Sequence, residues 1–200
     1  TASRNTQDIQ FPGEPMPDFG GGDLSMTADP SGSTLYADPM WAGDQRGIGI
    51  VVSADFEGIG FIGPLLLSGG LTMVRPSTHF PEGRVVALGR RPQQPDTAAV
   101  RLFLIDPEAR TVVDSLPDPV LDRGFYQLEA SPDGRYVYLS GDFSIRRYDL
   151  VEGRIDAQVS VPAAGRLSIS ADGERLYRAE YRPGILLRID GQVHVFASDL

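Results

Sequence analysis

The chain has 200 residues, 41% of them hydrophobic, and a net charge of −9 with an isoelectric point near 4.6. That apolar content suits a folded core and excludes a disordered chain, while the acidic balance lacks the basic stripe that a nucleic-acid binder needs to displace counterions from phosphates. There are no cysteines, which removes disulfides, thiolate catalysis, cysteine-type zinc sites and covalent haem attachment.

No apolar run approaches the roughly 18 residues that a membrane helix requires. All 18 basic residues are arginine, a bias that fits GC-rich coding. It does not by itself mark a recognition surface. The acidic surface favours solubility and would attract a basic partner.

Residues 1–22 differ from the rest. They hold Pro12, Pro15 and Pro17, then Gly20, Gly21 and Gly22, with no apolar period. This composition predicts an extended arm. The triple glycine is no phosphate loop, because no Lys-Ser or Lys-Thr follows it and Asp23 would repel phosphate. The opening Thr1-Ala2-Ser3 with polar residues behind it is expected of a mature exported chain.

From residue 23 onward two landmarks recur in order. The first is a polar turn closing on glycine: Ser31-Gly32, Glu82-Gly83, Asp133-Gly134 and Asp172-Gly173. Each is followed by an apolar pair, Leu35-Tyr36, Val86-Ala87, Val137-Tyr138 and Leu176-Tyr177. The second is an apolar strand ending in aspartate at Asp55, Asp106, Asp149 and Asp190. Gly32 to Asp55 and Gly83 to Asp106 are equally long, whereas the two later units are shorter. Landmarks that keep their order while one loop changes length indicate packed strands and a free loop.

Four units follow, at about 23–68, 71–118, 124–162 and 165–200. Each reads as four strands. In the third unit they are Tyr126–Ala130, Arg135–Ser140, Ile145–Asp149 and Arg154–Val161. In the fourth they are Arg166–Ser170, Arg175–Ala179, Ile185–Asp190 and Gln192–Ala197. The glycine after a short polar residue supplies the positive φ of a tight hairpin. No segment keeps a helical period for more than about two turns.

The segments Ser131-Pro132-Asp133-Gly134-Arg135-Tyr136-Val137-Tyr138 and Ser170-Ala171-Asp172-Gly173-Glu174-Arg175-Leu176-Tyr177 resemble the blade motif of secreted bacterial YVTN-type β-propellers. The likeness is good over 124–198 and loose over 23–200. The eponymous tetrapeptide is intact nowhere, and Asp29-Pro30-Ser31-Gly32 and Phe80-Pro81-Glu82-Gly83 depart further. The resemblance implies an all-β chain: a β-propeller-like array of four four-stranded antiparallel blades, complete or part of a larger propeller. It leaves function open, because such propellers serve as lactonase-like enzymes, dehydrogenase subunits, surface-layer proteins and binding scaffolds.

Few residues suggest chemistry. His79 precedes a turn and His194 alternates along a strand, neither at ligand spacing from a second histidine or carboxylate. The strand-end aspartates are expected to cap turns rather than hold calcium. No serine elbow, Walker loop or dinucleotide fingerprint occurs. No metal or cofactor is expected.

The loops are more telling. In a four-stranded meander the connections between second and third strands share one end of the sheet with the connections between units. Two of them are long, at 38–46 and 89–96, and the first carries the only tryptophan. Trp and Arg are the side chains most enriched at binding hot spots. The expected partner-binding residues are therefore Met40, Trp41, Arg90 and Arg91, with Tyr181 and Arg182 from the matching loop of the fourth unit. The reading is a non-catalytic, exported binding or assembly subunit that meets a protein partner through this long-loop face. Its rival is a propeller-type enzyme or redox-enzyme subunit, which would gather carboxylates and histidines at a central channel.

Overall fold

Wherever a polar turn ending in glycine separates two runs of β-branched and aromatic residues, the chain folds back on itself as a hairpin. The computed structural model describes residues 26–37, 48–52, 57–63, 65–91, 100–116, 127–141, 143–161, 165–180 and 193–197. Its first sheet holds β1 (Met26–Ala28), β2 (Thr34–Ala37), β3 (Ile48–Val52) and β4 (Glu57–Ile62). The second holds β5 (Leu66–Val74), β6 (Arg84–Arg90), β7 (Arg101–Asp106) and β8 (Thr111–Ser115). The third holds β9 (Gln127–Ala130), β10 (Tyr136–Ser140), β11 (Ser144–Asp149) and β12 (Arg154–Ser160). The fourth holds β13 (Gly165–Ile169), β14 (Arg175–Glu180) and β15 (Val193–Ala197).

The chain is all-β. Strands pair in chain order within each sheet, every pairing is antiparallel, and no helix occurs among the described residues. The fourth sheet departs from expectation. Its third place, beside β14, belongs to Val193–Ala197 with Arg175 opposite Ala197 and Ala179 opposite Val193. The segment 185–190, expected there, lies outside the described residues, and the fourth sheet has three strands among those that are described. The connection between β14 and β15 is therefore long, as it is in the first two units.

All four hairpins joining first to second strands close in the same way. The N–H groups of Gly32, Gly83, Gly134 and Gly173 donate to the carbonyls of Asp29, Phe80, Ser131 and Ser170 at 2.9–3.0 Å. The four glycines have φ of 71 to 78°, where a Cβ would be strained. Ser131 Oγ accepts from the Tyr136 N–H at 2.9 Å and donates to Asp133. Ser170 does the same with Arg175 and Asp172, and Asp29 Oδ1 takes the equivalent bond from Thr34 at 3.1 Å.

The second landmark has its own physical cause. Asp106 Oδ1 accepts from the N–H groups of Glu108 and Ala109, and Asp149 Oδ1 from those of Val151 and Glu152, at 2.8–3.0 Å. Both aspartates cap turns, as expected; Asp55 and Asp190 lie outside the described residues. The arginine after the turn glycine then reaches across the second and third strands to that aspartate. Arg135 gives Asp149 Oδ2 two bonds at 2.8 and 2.9 Å, and Arg84 approaches Asp106 at 3.7 Å. Burial works to raise the Asp149 pKa, but the Arg135 bonds and the two turn N–H groups outweigh it and hold the group below the usual carboxylate value.

The first strands lie side by side in sequence order, β1 against β5, β5 against β9 and β9 against β13. Three apolar cores fill the spaces between sheets. Tyr36, Ile48, Ile62, Leu71, Val85, Phe103 and Ile105 join the first sheet to the second. Val86, Leu88, Leu102, Leu128, Val137, Leu139 and Tyr148 join the second to the third. A smaller group of Tyr138, Ile145, Val161, Leu167 and Leu176 joins the third to the fourth. Each such side chain contributes roughly 1.5–3 kcal/mol through burial.

Candidate functional site

Antiparallel register gives every sheet two distinct ends. Val74 pairs with Arg84 at one end and Leu66 with Arg90 at the other. The first end carries the glycine hairpins, and the second carries the connections between second and third strands.

At the hairpin end the first strands and their turns surround a cleft of about 560 Å³. β1 and its turn contribute Thr27 and Asp29, β5 contributes Thr72 with Arg75 just beyond it, β9 contributes Glu129, and the next turns contribute Ser131 and Ser170. The charges are unevenly engaged. Asp29 takes bonds from the hydroxyls of Ser31 and Ser33 and from the Thr34 N–H. Burial would raise its pKa, but these bonds prevail and lower it. Glu129 behaves oppositely. Burial pushes its carboxyl up, and the Ile169 N–H offsets this only in part. Arg75 is exposed and makes no hydrogen bond or ion pair among the described residues.

Polar side chains on β9 also tie the third sheet to the fourth. Gln127 Nε2 donates to Leu167 O at 3.0 Å while its Oε1 accepts from Leu167 N at 2.7 Å. Two residues along the strand, Glu129 accepts from Ile169. The pair thus grips the backbone edge of β13 that its own sheet leaves unpaired. Sequence reading passed over both residues. The signal was there: two polar side chains at i and i+2 on a first strand, where core packing calls for apolar ones.

At the opposite end, Arg90 closes β6 half-buried and Arg91 follows it exposed. Met40, Trp41, Tyr181 and Arg182 lie outside the described residues, so of the six expected contact residues the structure places only the two arginines. It adds Phe143, between β10 and β11, which is 71% exposed. Arg178 on β14 is fully buried at the same end and donates to Gly141 O at 3.2 Å, with Ser140 Oγ at 3.5 Å. His79 is exposed in the turn before β6. No group of three or more potential metal ligands, and no helix long and apolar enough to cross a membrane, occurs among the described residues.

No family model matches the chain, and no curated protein matches it. Among solved structures it is similar to the hydrazine synthase of Kuenenia stuttgartiensis, with a TM-score of 0.61 and 16% identity. The likeness covers 92% of this chain and 49% of that one, so the chain spans about half of its structural neighbour. At that identity the likeness concerns the fold alone.

Proposed function

We propose that this chain is part of a β-propeller and works as a non-catalytic, exported binding or assembly subunit whose protein partner docks on the end opposite the hairpins. The propeller reading draws support from three features. The four sheets are successive meanders, their first strands lie side by side in order, and the turns repeat one hydrogen-bond pattern. The serine–aspartate–glycine turns that resemble YVTN-type blades are among them.

The observation that carries the docking site is Phe143. A phenylalanine 71% exposed on a short connection has no packing role in its own sheet. It shares its end of the structure with Arg90 and Arg91 of the neighbouring sheet. Met40 and Trp41 fall in sequence between β2 and β3, and Tyr181 and Arg182 between β14 and β15. Aromatic and arginine side chains together form the usual anchors of a protein interface. In the cleft at the other end, the Asp29 carboxylate is taken up by two hydroxyls and a backbone N–H, which favours binding over acid–base chemistry.

The test is differential co-purification of the tagged chain from its native source. Trp41→Ala with Arg91→Ala, and separately Phe143→Ser, should each lose a protein that the wild-type chain retains. Changes at exposed side chains such as Arg91 and Phe143 move stability by only about 0.5 kcal/mol, so melting of Phe143→Ser should barely change. Retention of the same protein by both variants places the interface elsewhere.

A further inference from the structure

We propose that the hairpin-end cleft binds a small zwitterion of dipeptide size, its carboxylate on Arg75 and its ammonium on Glu129. This site lies at the end away from the proposed partner surface and does not depend on it. Its volume, about 560 Å³, falls within the range of small-molecule clefts, roughly 300–1,000 Å³.

Charge argues for the class of ligand. Arg84, Arg135 and Arg147 each have an aspartate, Asp106, Asp149 and Asp156 respectively. Arg75 makes no hydrogen bond or ion pair among the described residues, and unlike those three it stands on the cleft wall. A guanidinium in that position is a ready bidentate partner for a carboxylate. Glu129 lies on the same wall system with the Ile169 N–H as its one donor. Asp29 is a poor rival for an ammonium, because two hydroxyls and a backbone N–H already occupy its carboxylate. One unpaired cation and one carboxylate with a single donor on the lining of the same cleft match a ligand that carries both charges.

The backbone argues for the same class. β1, β5, β9 and β13 each pair with a single strand in their own sheets, so each has an edge whose N–H and C=O groups are not used by its ladder. Gln127 and Glu129 satisfy part of the β13 edge. A peptide group between the two charged ends of the ligand offers one donor and one acceptor to such edges.

The experiment is calorimetric titration of the full chain at neutral pH with L-alanyl-L-alanine, its N-acetyl form and its C-terminal amide. Binding of the free dipeptide, weakened about tenfold or more by either block, is the expected result. Arg75→Gln should weaken the free dipeptide and be indifferent to amidation. Glu129→Gln should weaken it and be indifferent to acetylation. Neither change should unfold the protein, since Arg75 is exposed and glutamine keeps an acceptor for Ile169; melting curves check this. Absence of heat with the free dipeptide, equal binding of the blocked forms, or unchanged affinity in both variants overturns the proposal. Loss at Phe143 of partner binding with dipeptide binding intact separates this site from the other.

Discussion

The contact between the second and third sheets and the contact between the third and fourth are built from different materials. The former is a continuous apolar core in which even the backbones close up: a Cβ on Gly70 of β5 would lie 2.8 Å from Leu128 Cγ. The latter has a small apolar core and is completed by polar bonds. Gln127 grips Leu167, Glu129 takes the Ile169 N–H, and the buried Arg178 reaches Gly141 O. An apolar contact tolerates any change that conserves volume, whereas a polar one depends on each partner being present. The third sheet therefore has one face fixed by shape and one fixed by chemistry.

Substitutions can break that contrast in order of severity. Gly70→Ala should do most harm. It combines a φ of +73° with contacts at 2.8 Å to Leu128 Cγ and 3.2 Å to Leu128 N, and should cost about 3 kcal/mol or more in urea unfolding. Gly32→Ala is its control: φ is also +73°, but nothing lies within 4 Å of the added atom. Backbone strain alone should cost about 1 kcal/mol there. Equal losses at the two glycines would show that the close approach of β5 to β9 contributes nothing.

Arg178→Met keeps much of the volume of a fully buried side chain and removes the charged donor to Gly141 O. The expected loss is about 2–3 kcal/mol, measured by denaturant midpoint. Gln127→Leu should cost about 2 kcal/mol, because it strips both the N–H and the C=O of Leu167 of their partner. Were leucine neutral there, the third and fourth sheets would be held by apolar packing like the others.

The smallest effect is a pH dependence. The Glu129 pKa is raised in the folded chain, chiefly by burial, above the ordinary 4.5. A group raised on folding favours the folded state fully below its unfolded pKa, and that contribution is lost as pH rises through the folded value. Glu129→Gln removes the titration. The stability of the variant relative to wild type should thus grow with pH from about 4.5 upward and level off once Glu129 is ionised. Asp29, Asp149 and Asp172, whose pKa values are lowered, act in the opposite sense in both proteins and cancel in the difference. A flat difference would mean that Glu129 titrates alike folded and unfolded.

The hairpins were legible because their information is local. Ser131, Asp133 and Gly134 interact within six residues, and any chain with that order meets the same steric demand for positive φ at the glycine. The strand-end aspartates were legible for the same reason, since Asp106 and Asp149 bond backbone two and three residues on. The fourth sheet was not. Ile185–Asp190 and Val193–Ala197 are both short apolar runs with β-forming residues, and local propensity assigns both to strands without saying which one reaches β14. Register across a long connection made that choice.

The candidate sites divide along the same line. An arginine at the end of an apolar run, such as Arg90, is visible in the sequence. That Arg75 and Glu129, far apart in the chain, line one cleft is not, because only the convergence of β5 and β9 brings them there. The sequence by itself determined the all-β character, the repeating hairpins and their glycines, since each rests on interactions between near neighbours. The tertiary structure alone decided which strand completes the fourth sheet, which face of the third sheet is polar, and where a cleft opens. Those depend on backbone edges meeting across tens of residues, and no local pattern encodes such a meeting.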